Sequence, residues 1–163
     1  MKTKDLVTLA LMISLSVILA QFKLFSTVAF DSSPAFLISL VMGGSAGAIV
    51  GVIGHLATAM TSAFPLTIPL HLLLMVFMGL TQIVFAMLYR KFKPRKYGRF
   101  IVPVLGAWLF NVLLPLLCLQ PILGSAMVVS FFWPLTFATL ANIFLGFLLF
   151  EGLKKVNLPM FRE

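Results

Sequence analysis

Apolar residues fill this chain in three long stretches free of Asp, Glu, Lys and Arg: Leu6 to Phe22, the 58 residues between Asp31 and Arg90, and Phe100 to Phe150. A helical crossing of a bilayer takes about 20 apolar residues, so each stretch can cross and the longer two can do so more than once. A membrane β-barrel would need short alternating segments, and the stretches show none. Glycine and proline then divide them into elements. The first helix is expected from about Asp5 to Phe22, with a loop from Lys23 to Ser33 after it. A second opens at Pro34, a residue suited to a first turn, and stops near Gly43 and Gly44. At 1.5 Å rise for each of about ten residues, it is too short to cross alone unless the loop before it dips into the membrane. A third runs from Ser45 to about Ala63; Pro65 and Pro69 mark a turn, and a fourth ends at Tyr89. A fifth covers about Phe100 to Leu117 and a sixth about Met127 to Leu153, with Pro103, Pro115 and Pro134 expected to bend them.

Composition agrees with lipid as the solvent. Hydrophobic residues make up 61%, charged residues 10%, and the mean hydropathy is +1.14, whereas about a quarter of a soluble domain is charged. The net charge of +8 would suit nucleic acid, but eleven of the twelve basic residues fall at three places. Lys2 and Lys4 precede the first apolar stretch; Arg90, Lys91, Lys93, Arg95, Lys96 and Arg99 separate the second from the third; Lys154, Lys155 and Arg162 follow the last, leaving only Lys23 elsewhere. Placing all three clusters in the cytoplasm satisfies the positive-inside rule with both termini inside, and makes a nucleic-acid partner unnecessary. Parity then sets the crossings: an odd number between Lys23 and Arg90, best met by three, and two in the last stretch. The expected fold is all-α, a single integral-membrane domain over residues 1–163: a compact bundle of six transmembrane helices with cytoplasmic termini. The N-terminal pattern also resembles a signal peptide, but cleavage after Ala20 would leave five helices and break the charge pattern. Cys118 is alone, so the chain makes no internal disulfide.

Few polar residues lie within the apolar stretches, and they are the candidates for chemistry. Gly43, Gly47 and Gly51 recur every four residues as a smooth stripe for helix packing, and the same face continues through Gly54 or His55, then Thr58 and Ser62. An ionisable group at membrane depth normally faces a partner or a cavity. That applies to His55 and to His71, which lies near the start of the fourth helix. The two histidines are joined by no Asp, Glu or Cys, so no metal site is expected. The fifth helix offers Trp108 and Asn111, and the sixth offers Trp133, with Thr139 and Asn142 deeper. Either Trp can be a lipid-belt residue, and Asn142 suits a bond to a neighbouring helix. Together, Asp31, His55, Ser62, His71, Trp108, Asn111 and Trp133 are the expected small-molecule site. There is no Walker lysine loop, HExxH, GxSxG or intramembrane acidic pair, so neither enzyme chemistry nor self-powered transport is expected, and no cofactor.

Several segments carry a resemblance across nearly the whole chain: the small pair Ala10 and Ser14; Phe30 to Leu37 (FDSSPAFL); Gly43 to Ala48 (GGSAGA); Gly51 to His55; and Phe64 to His71 (FPLTIPLH). In these the chain resembles the substrate-binding S-components of energy-coupling factor (ECF) vitamin transporters. The resemblance implies a bacterial plasma-membrane protein that binds a vitamin-like solute and docks on a transmembrane T-component served by two ATPase subunits. It implies docking through Ala10 and Ser14, where the family carries a pair of alanines. The segment from His55 to His71 is closest to members assigned to α-ribazole, a benzimidazole riboside salvaged for cobalamin synthesis. Another vitamin-like solute, such as pantothenate or a queuosine precursor, and a stand-alone facilitator remain the alternatives.

Overall fold

The structure is a computed structural model that describes residues 2–24, 28–64 and 66–155. Pro65 of the expected turn and Arg162 of the last basic cluster lie outside the described residues. Helix α1, Thr3–Leu19, starts where Asp5 accepts a hydrogen bond from the Lys2 backbone N–H at 2.8 Å. Two two-residue strands, β1 (Lys23–Leu24) and β2 (Val28–Ala29), pair antiparallel with Lys23 opposite Ala29. Then follow α2, Ser33–Val41, α3, Gly44–Thr61, and α4, Ile68–Phe92, with Pro34 and Pro69 in the first turns of α2 and α4. The last helical stretch holds α5, Gly98–Trp108, a π-helical turn at Leu109–Leu113, and α6, Leu114–Lys155.

Gly124 breaks α6 at φ 77° and ψ 161°, a backbone that side chains other than hydrogen rarely adopt. Phe100 packs on Phe147, Trp108 bonds Thr136, and Asn111 bonds Thr139. All three pairs are centred close to Gly124, as in an antiparallel hairpin. The helical connection differs from expectation: the fifth helix is expected to end near Leu117 and the sixth to begin near Met127, yet the helix runs through Pro121 to the glycine. Pro115 explains the π turn. A helical proline lacks an N–H and crowds the carbonyl four residues back, here that of Asn111. The chain relieves this by widening the preceding turn, so that the Leu114 N–H reaches the Leu109 carbonyl instead.

Three helical segments are long and apolar enough to cross a membrane: Gly44–Thr61, Ile68–Phe92 and Gly98–Lys155. The last has 58 residues, about 87 Å of helix at 1.5 Å each, which fits a hairpin through a hydrocarbon layer of about 30 Å. Six separate spans are therefore not what the helices establish. The main departure is α2, whose nine residues reach only about 14 Å. It is buried on all sides from Ser33 to Ser39. Its Ala35 and Ile38 pack with Leu9 of α1 and Val50 of α3, while Phe36 packs with Phe85, Ala107 and Ile143. Leu37 completes a third cluster with Tyr89 and Phe150. Thus α2 is a central pin around which the longer helices close. Their outer faces are apolar, with Leu72, Val76 and Met87 of α4 and Phe137, Phe144 and Leu148 of α6 all exposed, as lipid contact requires.

The glycine stripe divides between partners. Gly43 precedes α3 as its N-cap, with φ 101°, and makes the tight turn from α2. A Cβ on Gly47 would overlap Ser39 Oγ of α2, and one on Gly51 would lie 3.2 Å from Met78 and 3.3 Å from Gln82 of α4. Ser39 Oγ donates to Gln82 Oε1 at 2.9 Å, and the Nε2 of that fully buried glutamine has no partner among the described residues. Gly47→Ala should displace Ser39 and leave both ends of Gln82 unpaired, costing about 1 to 3 kcal/mol. Thermal unfolding in detergent checks this against Gly152→Ala, where a Cβ meets nothing within 4 Å. Equal melting temperatures for the two variants contradict the packing account.

Candidate functional site

The segment entering α2 leads the chain into the bundle, where its backbone polar groups have little water to bond and need protein partners. Asn142 of α6 supplies them. Its Oδ1 accepts from the Ser32 N–H at 3.1 Å, and its Nδ2 donates to the Ala29 carbonyl at 2.7 Å and to the Ala138 carbonyl at 2.8 Å. Ser33 Oγ closes the same turn by donating to the Phe30 carbonyl at 2.8 Å. The next residue on this segment, Asp31, accepts from Ser32 Oγ at 3.2 Å. Gly146, one turn beyond Asn142, lets α2 lie close: a Cβ there would come within 2.8 Å of Phe36 Cβ.

Against this floor, between α3, α4 and the α5–α6 hairpin, lies a cavity of about 310 Å³. That is the lower end of the range for small-molecule pockets, about 300 to 1,000 Å³. Its walls are apolar: Leu66, Leu74, Phe77 and Met78 on one side, and Leu116, Leu119, Phe131 and Leu135 on the other. The polar groups are Asp31, Ser32, His55, His71, Asn111, Thr139 and Asn142, and among the described residues no Lys or Arg lines the cavity. Four of the seven expected site residues therefore meet there: Asp31, His55, His71 and Asn111.

The π turn carries Asn111, whose Nδ2 donates to Thr139 Oγ1 at 2.8 Å, leaving its second N–H and its Oδ1 to the cavity. His71 is 7% exposed; its Nδ1 faces His55 Nε2 at 3.5 Å, the limit of a hydrogen bond, and Phe64 meets its ring edge-on at 5.6 Å. His71 Nε2 is buried with no partner among the described residues. In a neutral pair one ring donates to the other, so the outer nitrogen of His71 is a donor when His55 gives the proton and an acceptor when His55 takes it.

Ser62, Trp108 and Trp133 do not line the cavity. Ser62 caps the end of α3, its backbone N–H reaching the Thr58 carbonyl. Trp108 donates from Nε1 to Thr136 Oγ1 at 3.1 Å and ties the hairpin together. Trp133 is 62% exposed and stacks against Phe137, the placement of a lipid-belt ring. Conversely, Thr139 and Asn142 were read only as deeper polar positions of the sixth helix, yet both line the cavity. Their spacing of three residues puts them on one face of α6, a signal that pointed toward Asn111 across the hairpin.

Ala10 and Ser14 lie on the opposite surface of the molecule's first helix from Leu9 and Ser16, which face the core. Both are exposed, and Ser14 Oγ donates to the Ala10 carbonyl at 2.9 Å, so the hydroxyl is satisfied within the helix. No curated protein and no solved structure matches this chain. A family model described as ECF transporter, substrate-specific component, matches residues 4–155, nearly the whole of it. That family is one of membrane transport components rather than enzymes, in accord with apolar outer faces and a cavity that holds a few polar groups. The chain belongs to the substrate-specific components of ECF transporters.

Proposed function

We propose that the cavity is the solute site of a subunit that captures a vitamin or vitamin precursor from outside a bacterial cell, and that α-ribazole is the solute. In this scheme both termini lie in the cytoplasm, and uptake is driven by a T-component and two ATPase subunits. The observation that carries the reading is the buried His71 Nε2, without a partner among the described residues, on the wall of a largely apolar cavity. An unpaired buried polar atom costs about 1 to 3 kcal/mol, which a ligand bonded to it removes.

α-Ribazole suits the lining. Phe77 and Phe131 offer aromatic rings for its benzimidazole, and Asp31 and Asn111 can bond its hydroxyls. The absence of Lys and Arg among the described residues of the lining suits a neutral solute better than a phosphate ester, which usually meets cationic donors. Exposed small residues at Ala10 and Ser14 provide a flat strip on which another transmembrane helix can lie close.

His71→Ala or Asn111→Ala should weaken solute binding by about 1 to 3 kcal/mol, read by calorimetric titration of the purified protein. Unchanged affinity in both variants contradicts the site. Ser14→Trp, distant from the cavity, should abolish uptake in cells while solute affinity in detergent is retained. Normal uptake with that variant would favour a stand-alone facilitator over a subunit that borrows its energy.

A further inference from the structure

Between Arg90 and Arg99 the sequence places six cations in ten residues, and no Asp or Glu occurs anywhere from Ser32 to Phe150. The positive-inside rule accounts for the sign of this cluster but not for its arrangement. Residues 93–97 join α4 to α5, and the connection folds back tightly on itself. The Arg95 N–H donates to the Phe92 carbonyl at 2.9 Å, and the Arg99 N–H donates to the Arg95 carbonyl at 3.2 Å. A Cβ on Gly98 would lie 3.1 Å from Arg95 Cβ. Arg95 and Arg99 are therefore held one turn apart, a spacing at which like charges repel. The acid near the end of α6, Glu151, pairs instead with Lys154 at 3.7 Å.

Both guanidinium groups rest on aromatic rings. Arg95 Cζ lies 5.2 Å from the centre of the Phe92 ring, and Arg99 Cζ lies 4.5 Å from that of Phe100. Phe100 in turn packs on Phe147 of α6, which ties Arg99 to the bundle. A guanidinium stacked on a ring keeps its N–H edge free, and that edge can give a phosphate two parallel hydrogen bonds. Arg99 Nε is buried with no partner among the described residues. Depth in the membrane matters as well: within about two turns of these arginines, α4 exposes Met87 and α5 exposes Ile101 and Leu105, apolar surface that meets lipid. The pair thus borders the hydrocarbon, at the level of the headgroups.

We propose that the α4–α5 connection is a binding site for an anionic phospholipid, with the lipid phosphate held between Arg95 and Arg99. The anion removes the repulsion between the two arginines and gives Arg99 Nε an acceptor. Acyl chains keep the phosphate at the depth of the pair, an advantage that a soluble phosphate lacks, and the uncompensated charge of the cluster favours a lipid of net negative charge over a zwitterionic one. Neither arginine lines the solute cavity, so this site and that one stand or fall separately.

The test uses the full chain purified in detergent, with its melting temperature followed as phosphatidylglycerol or phosphatidylcholine is titrated into the micelles. A bound lipid stabilises the folded chain, so phosphatidylglycerol should raise the melting temperature at a lower mole fraction than phosphatidylcholine. Arg95→Gln combined with Arg99→Gln should raise the phosphatidylglycerol fraction required about 25-fold, which is about fivefold for each cation, the equivalent of about 1 kcal/mol apiece. Lys2→Gln combined with Lys4→Gln removes the same charge at the start of α1 and should leave that fraction unchanged. If the arginine pair does not fold, the exposed Arg95 serves alone, with Arg95→Gln giving about a fivefold loss. Equal response to the two lipids overturns the site. An equal loss in the arginine and lysine pairs also overturns it, since attraction would then follow charge anywhere on the chain. Glycerol phosphate and polyglutamate, at matched charge concentration, should not stabilise the protein as the lipid does. A matching rise with glycerol phosphate makes this a site for a soluble phosphate, a matching rise with polyglutamate makes it a face for an acidic protein, and either result overturns the lipid.

Discussion

The hydrogen bonds of one amide, Asn142, hold the rest of the site in place. A chain segment that would otherwise lie at the membrane surface is drawn into the bundle, and its Ser32 N–H and Ala29 carbonyl find their partners on α6, more than a hundred residues away. Without those bonds two backbone groups would be buried unpaired in a setting with no water to replace them. With them, α2 can begin inside the bundle. Because it begins there, it is surrounded by α1, α3, α4 and α6, and the space above its entry is left as a cavity.

The same economy of polar groups would give the proposed solute site its selectivity. Asn142 spends both N–H groups and its oxygen on the fold, so it shapes the floor rather than reading a solute. Asn111, in contrast, spends one N–H on Thr139, and His71 Nε2 has no partner among the described residues. Those surplus groups are set among apolar walls, where a hydrogen bond is not in competition with water. In the proposed site, strength of binding would thus depend on a few atoms, while the apolar walls supply contact area. Burying them empty is costly, and that cost is what makes an occupied site more stable than a vacant one.

Much of the fold could be read from charge and punctuation. The basic clusters and the uncharged stretches located the helices, and Pro34, Gly43 and Pro69 fall at helix ends as expected. What could not be read follows from one physical fact: a residue facing lipid and a residue facing the core are equally apolar. Phe36, buried in the centre, and Phe144, facing outward, look alike in sequence. For that reason α2 read as one span among six, and only its length hinted otherwise. Trp108 and Trp133 misled in the same way, since an amphipathic ring suits a ligand wall, a helix contact or an interface. Asp31, His55, His71 and Asn111 were legible because polarity in an apolar stretch is rare; the role of Asn142 was not, because its partners lie at the other end of the chain. The π turn under Asn111 needed the clash at Pro115 to be seen in three dimensions.

The most direct test is to identify by mass spectrometry the small molecule released when the protein, purified from its own membrane without added ligand, is denatured. A cavity whose surplus polar atoms, among the described residues, are neutral donors and acceptors and one carboxylate should yield a single uncharged, ring-containing compound in near-equal amount to the protein. A phosphorylated or polyanionic compound, or nothing above the level from an unrelated membrane protein, would contradict the account.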